Sequence, residues 1–205
     1  MNNKTIILIA RVMSMLFTPF YLPLLGLAVL FFLSYLSLMP TGYKIFVLCM
    51  VYLFTILLPT MLIHFYRRYQ GWSPIELGVK ERRMVPYTIS ILCYFVCLYL
   101  METFHIPHFM GSILMAALFL QVLCAIINVW WKISTHTAAI GGVAGALIAF
   151  SGIFLFNPTW WFCLVMLVAG MVGTSRMILR QHTLSQVLGG FGIGLLTAYY
   201  TIAIM

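Results

Sequence analysis

Long apolar runs broken by short polar stretches make up this chain. A bilayer core about 30 Å thick needs roughly 20 apolar residues per helix, with a working range of about 17–25. Seven segments meet that requirement, approximately 12–37, 43–65, 87–104, 110–131, 134–156, 158–174 and 183–204. Turn residues mark several of the breaks: Pro40-Thr41-Gly42, Pro107 and Asn157-Pro158. The expected fold is all-α, a polytopic membrane bundle of six to seven transmembrane helices. Residues 1–205 read as a single integral-membrane domain, with no internal repeat or low-complexity tract. Lys4 precedes an apolar run as in a signal peptide, but Arg11 interrupts it and no small-residue cleavage site follows, so an uncleaved first span is expected.

Composition sharpens this picture. Of 205 residues, 64% are apolar and 7% charged, far from the roughly 25% charged of a soluble domain. Eleven Lys and Arg stand against three acids, Glu76, Glu81 and Glu102, and there is no aspartate. Aspartate-based metal sites, aspartyl nucleophiles and aspartic dyads are thereby excluded. A nucleic-acid partner fits poorly, because the bases sit between apolar runs and not on a solvated face. Cys49, Cys93, Cys97, Cys124 and Cys163 all fall in apolar segments, where lone cysteines act as small packing residues. Neither a disulfide framework nor a zinc site is indicated.

Threading seven spans across a bilayer puts the loops at 66–86, 131–134 and 174–183 on the side of the N-terminus, with ten of the eleven bases. Lys44 lies on the opposite side with Glu102, His105 and His108. Three polar clusters then share one face: Lys80-Glu81-Arg82-Arg83-Met84-Val85-Pro86, Lys132-Ile133-Ser134-Thr135-His136-Thr137, and Ser175-Arg176 through His182 to Gln186. Singly, each has a plain explanation. Lys80, Arg82 and Arg83 suit lipid head groups, His136 a carbonyl partner, and Arg176 a snorkelling position. Together, guanidinium forks, hydroxyls and a helix start at Ser134 and Thr135 make an anion site suited to phosphate. Two histidines suffice for phosphoester cleavage, one attacking phosphorus and the other protonating the leaving oxygen. Gln186, four residues after His182, can lie beside that ring on a helix and orient it.

At these positions the sequence resembles the type 2 phosphatidic acid phosphatases, integral-membrane lipid phosphatases related to the vanadium haloperoxidases. Their third motif, Ser-Arg, five residues, His, three residues, Asp, stands here as Ser175-Arg176, His182 and Gln186. Their second, Pro-Ser-Gly-His, appears as Ile133-Ser134-Thr135-His136. Their first, Lys, six residues, Arg-Pro, is matched in chemistry but not in spacing by Lys80, Arg82, Arg83 and Pro86. The resemblance covers roughly 75–200, a core preceded by two extra N-terminal spans.

The resemblance implies His182 as nucleophile, through a phosphohistidine, and His136 as general acid. Lys80, Arg82, Arg83, Ser134, Thr135 and Arg176 would hold the phosphoryl oxygens, and no metal or other cofactor is implied. The implied partners are membrane lipids and a lipid phosphate or pyrophosphate substrate, and no nucleic acid. Gln186, in the family's aspartate position, can orient the histidine but cannot stabilise its cation by charge. Two alternatives follow: a lipid-phosphate binding or transport protein without turnover, and a phosphotransferase with a lipid acceptor. The expected location is a bacterial inner membrane, multi-pass. Positive-inside counting puts the site in the cytoplasm, whereas the family's bacterial members commonly place it outside. Gly141, Gly142 and Gly145 would let helices approach closely near the second motif.

Overall fold

The computed structural model describes residues 3–33, 35–71 and 84–204. Among them are eight α-helices: α1 (Asn3–Leu16), α2 (Leu22–Leu33), α3 (Thr41–Tyr69), α4 (Met84–Thr103), α5 (His108–Trp130), α6 (Thr135–Phe154), α7 (Thr159–Ile178) and α8 (Leu184–Ile204). The last six are long and apolar enough to cross a membrane. Large apolar side chains such as Phe32, Phe95, Trp160, Leu167 and Leu196 lie exposed on the bundle's exterior, as lipid contact requires. The chain is an integral-membrane, all-helical bundle.

The expected first span, 12–37, is corrected: it is not one helix. Pro19 has no N–H for the carbonyl of Met15, and the hydroxyl of Thr18 donates to that carbonyl at 2.8 Å. A turn over residues 17–21 therefore separates amphipathic α1 from α2, whose 12 residues rise only ~18 Å. A 3₁₀ turn, Tyr35–Leu38, continues the path. Leu22 packs with Ile140 and Val172, while Phe31 and Leu36 pack with Met101 and Met110. The α2 segment thus still carries the chain from one end of the bundle to the other, so the alternation of sides survives. The expected loop at 174–183 is also shorter, because α7 continues to Ile178 and holds Ser175 and Arg176 on its last turn.

In α3 the helix widens to a π turn at Leu53–Leu57, just before Pro59, a usual site for such a bulge. Helices α6 and α8 are in backbone contact. A Cβ on Gly141 or Gly145 would strike the carbonyl of Phe191 or Leu195, and one on Gly194 would strike that of Ala138. The backbone N of Gly142 lies at the same contact with Gly194, while a Cβ on Gly142 would meet a methyl of Leu120 at 3.4 Å. This tight pair fixes the start of α6 against the start of α8. Cys93, Cys97 and Cys124 are buried packing residues, whereas Cys49 and Cys163 are exposed on the outer surface.

Candidate active site

The turns at 131–134 and 179–183 and the turn after α1 meet at one end of the bundle. Each is shaped by local chemistry. Helix α7 ends with Arg180 at φ 53°. The Arg180 N–H donates to the carbonyl of Met177 at 2.9 Å and the Gln181 N–H to that of Arg176 at 3.1 Å. This pair of bonds is a Schellman closure, and it reverses the chain so that His182 faces inward. Thr183 then opens α8 with a capping box: the Oε1 of Gln186 accepts from the Thr183 N–H at 3.2 Å. The same Oε1 lies 3.2 Å from Nδ1 of His182, so Gln186 both caps the helix and orients the ring. The backbone carbonyl of Gln186 accepts from the Ser134 N–H at 3.3 Å, joining the two turns.

At the start of α6, Ser134 is extended and does not use its side chain as a cap. Its carbonyl accepts instead from the hydroxyl of Thr137 at 3.0 Å. The N–H groups of the first turn of a helix have no partner within it, and here they open beside His136. Arg176 enters from α7, its Nη1 donating to the hydroxyl of Ser14 at 2.7 Å. The Ser14 backbone carbonyl lies against the ring of His136. His136, His182 and Arg176 are close enough to act on one another electrostatically. Three polar atoms here are buried with no hydrogen-bond partner: Ser134 Oγ, His136 Nδ1 and Arg176 Nε.

His182, in the turn between α7 and α8, is held neutral. Burial, then the charge of Arg176, pushes its pKa down from 6.5 to about 4. The hydrogen bond to Gln186 opposes that shift, the charge of Lys132 adds to it, and the backbone carbonyl of Lys132 opposes it again. With its proton on Nδ1, toward the Oε1 of Gln186, the neutral ring carries its lone pair on Nε2.

Of the residues singled out from sequence, His182, His136, Arg176, Ser134 and Gln186 come together, with Thr135 beside them at the start of α6. Lys80, Arg82 and Arg83 lie outside the described residues. Lys132, already in the second polar cluster of the sequence, adjoins His182. One neighbour of the site was not singled out from sequence. Ser14 had only the signal of a hydroxyl three residues beyond Arg11 in an apolar run. His105 and His108 lie at the turn between α4 and α5, in the far half of the bundle. No cluster of three or more His, Cys, Asp or Glu that could hold a metal occurs among the described residues.

These features define a polytopic helical membrane protein with a basic, histidine-bearing site at one end of its bundle. The family model of the PAP2 superfamily matches residues 87–205, more than half of the chain, and the chain belongs to that superfamily. Its members generally hydrolyse phosphate esters, which indicates phosphatase-type chemistry on a lipid phosphate. No curated protein and no solved structure matches the chain.

Proposed function

We propose that the chain hydrolyses a phosphate or pyrophosphate ester of a membrane lipid through a phosphohistidine on His182. The observation that carries this reading is the set of buried, unpartnered atoms on Ser134, His136 and Arg176 around a neutral, oriented His182. Burying such groups without partners costs roughly 1–3 kcal/mol each. A tetrahedral oxyanion between them would satisfy all three at once.

The steps follow from this arrangement. Arg176 Nε, Ser134 Oγ and the N–H groups opening α6 hold the non-bridging phosphoryl oxygens and neutralise charge as it spreads over them. Nε2 of His182 attacks phosphorus in line with the lipid oxygen. The P–N bond forms, the P–O bond breaks, and His136 delivers a proton to the departing oxygen. A water then attacks the phosphohistidine, His136 takes its proton, the P–N bond breaks and inorganic phosphate leaves. Lys80, Arg82 and Arg83 are proposed to add cationic contacts to the same phosphate. Ser14 shares Arg176 with the substrate and fixes the orientation of that guanidinium.

The test is phosphate release from a panel of lipid phosphates by purified wild-type protein, with His182→Ala as the comparison. Loss of the nucleophile should lower turnover by at least about 10³-fold. Rapid acid-free quenching with labelled substrate should trap label on wild type and none on the variant. Equal, inert behaviour of both proteins across the panel would sink the reading and favour a binding protein.

A further inference from the structure

Helix α1 has three sides of different chemistry. Ala10 and Ser14, four residues apart, are buried on the side that packs against α7. Leu8, Val12 and Leu16 form an exposed apolar row at the same spacing. Lys4 and Arg11, seven residues apart and so on one flank, are exposed as well. The 14 residues of α1 rise about 21 Å, short of the ~30 Å that a span must cross. A helix too short to span, with one apolar and one cationic flank, belongs at the membrane surface, its apolar row in the acyl boundary and its cations among the head groups.

The buried side of the same helix reaches the site. Ser14, one turn beyond Arg11, accepts from Arg176 at 2.7 Å, and its carbonyl lies against the ring of His136. A tilt of α1 that lifts Ser14 therefore loosens the anion-binding guanidinium and the proposed general acid together. Among the described residues the only acidic side chain is Glu102, at the far turn between α4 and α5, so no described carboxylate neutralises Lys4 or Arg11. The head group of an anionic phospholipid supplies the missing charge. Helix α1 lies outside residues 87–205, so this contact is an addition to the part of the chain that the superfamily shares.

We propose that α1 is a docking helix for anionic phospholipids: Lys4 and Arg11 bind their phosphate groups, and that grip keeps Ser14 seated on Arg176 and His136. Turnover then depends on the charge of the surrounding bilayer. The coupling to turnover rests on the phosphatase reading above, whereas the lipid contact does not. Each cation near an anionic surface contributes about 5-fold in occupancy, so the pair contributes about 30-fold.

The experiment reconstitutes the full chain in bilayers of phosphatidylcholine alone, or of phosphatidylcholine mixed equally with phosphatidylglycerol. Phosphate release is measured on the lipid phosphate turned over fastest in the panel above, held at equal surface density in both bilayers so that recruitment of substrate does not differ. Wild type should turn over about 5- to 30-fold faster in the mixed bilayer. The double variant Lys4→Gln/Arg11→Gln should lose that increment and match wild type in phosphatidylcholine. Arg67→Gln/Arg68→Gln, which removes two bases from the last turn of α3, should keep it. A nitroxide on Leu8→Cys, with the exposed Cys49 and Cys163 replaced by Ala, reads the position of α1 without turnover. It should lie deeper and move less in the mixed bilayer, and the double variant should abolish that difference. Equal turnover in the two bilayers, a double variant indistinguishable from wild type, or the same loss from the α3 variant overturns the docking role of α1 while turnover upholds the phosphatase reading. A label that responds to phosphatidylglycerol through Lys4 and Arg11, in a protein inert across the lipid panel, overturns the phosphatase reading and upholds the lipid contact. An inert protein with an unresponsive label overturns both.

Discussion

The contact between Gln186 and His182 makes the sharpest prediction. Replacing Gln186 by Glu preserves the length of the side chain, so a carboxylate oxygen takes the place of Oε1 at 3.2 Å from Nδ1. Glutamate also keeps the capping box with Thr183. The new feature is a negative charge centred about 4 Å from the ring. At an effective dielectric of about 20 such a pair is worth about 4 kcal/mol, or about 3 pH units at 1.36 kcal/mol each. His182 is partly exposed, so screening reduces the expected rise to about 1–3 units. On the proposed phosphohistidine route His182 attacks as the neutral ring, hence activity should fall as pH drops through its pKa. The acid limb of kcat/KM, which reports the free enzyme, should lie near the wild-type value of about 4 and move upward in Gln186→Glu. Gln186→Asp is one methylene shorter and should move it less. Ionisation of the substrate phosphate, near pH 6, is common to all three and cancels in the comparison. Coincident acid limbs would refute the assignment of Gln186 as the partner of the proposed nucleophile.

Three further outcomes are expected. Because the folded-state pKa of His182 lies below its ordinary 6.5, its contribution to stability is present above 6.5 and is lost as pH falls from 6.5 toward 4. Wild type should therefore lose more Tm between pH 7 and pH 4.5 than His182→Gln does. Ser14→Ala removes the acceptor of a buried guanidinium bond, costing about 1.5–3 kcal/mol, and should lower Tm, whereas Ser14→Thr, which retains the hydroxyl, should restore most of it. Gly194→Val drives a side chain into the carbonyl of Ala138. It should cost about 1–3 kcal/mol or more and abolish activity by displacing α6 from α8. Gly152→Ala, which meets nothing within 4 Å, should leave both Tm and turnover unchanged.

The apolar runs alone determined that this is a membrane-embedded helical bundle, and they located five of the six long helices to within a few residues at most boundaries. They did so because the bilayer imposes a fixed length and satisfies no backbone group, so span length and hydropathy are local quantities. The remaining long helix, α3, was placed over 43–65 and reaches Tyr69, since a basic, interfacial last turn does not register as apolar. The first span failed for a local reason as well: hydropathy alone does not detect the helix hydrogen bond that Pro19, lacking an N–H, cannot donate to Met15. The motif residues His136, Arg176, His182 and Gln186 were legible because their spacing carries a chemical requirement through the chain.

Tertiary structure alone decided which of them meet, and with what. The approach of Gly141 and Gly145 to α8 sets the distance between the two histidine turns. Ser14 joins Arg176 from 162 positions away, a pairing that no window along the chain contains. Tyr94 and Gln121 read as ordinary residues of two apolar helices. Only the packing of α4 against α5 brings their side chains together, since hydrogen-bond satisfaction is a property of three-dimensional surroundings and not of residue type.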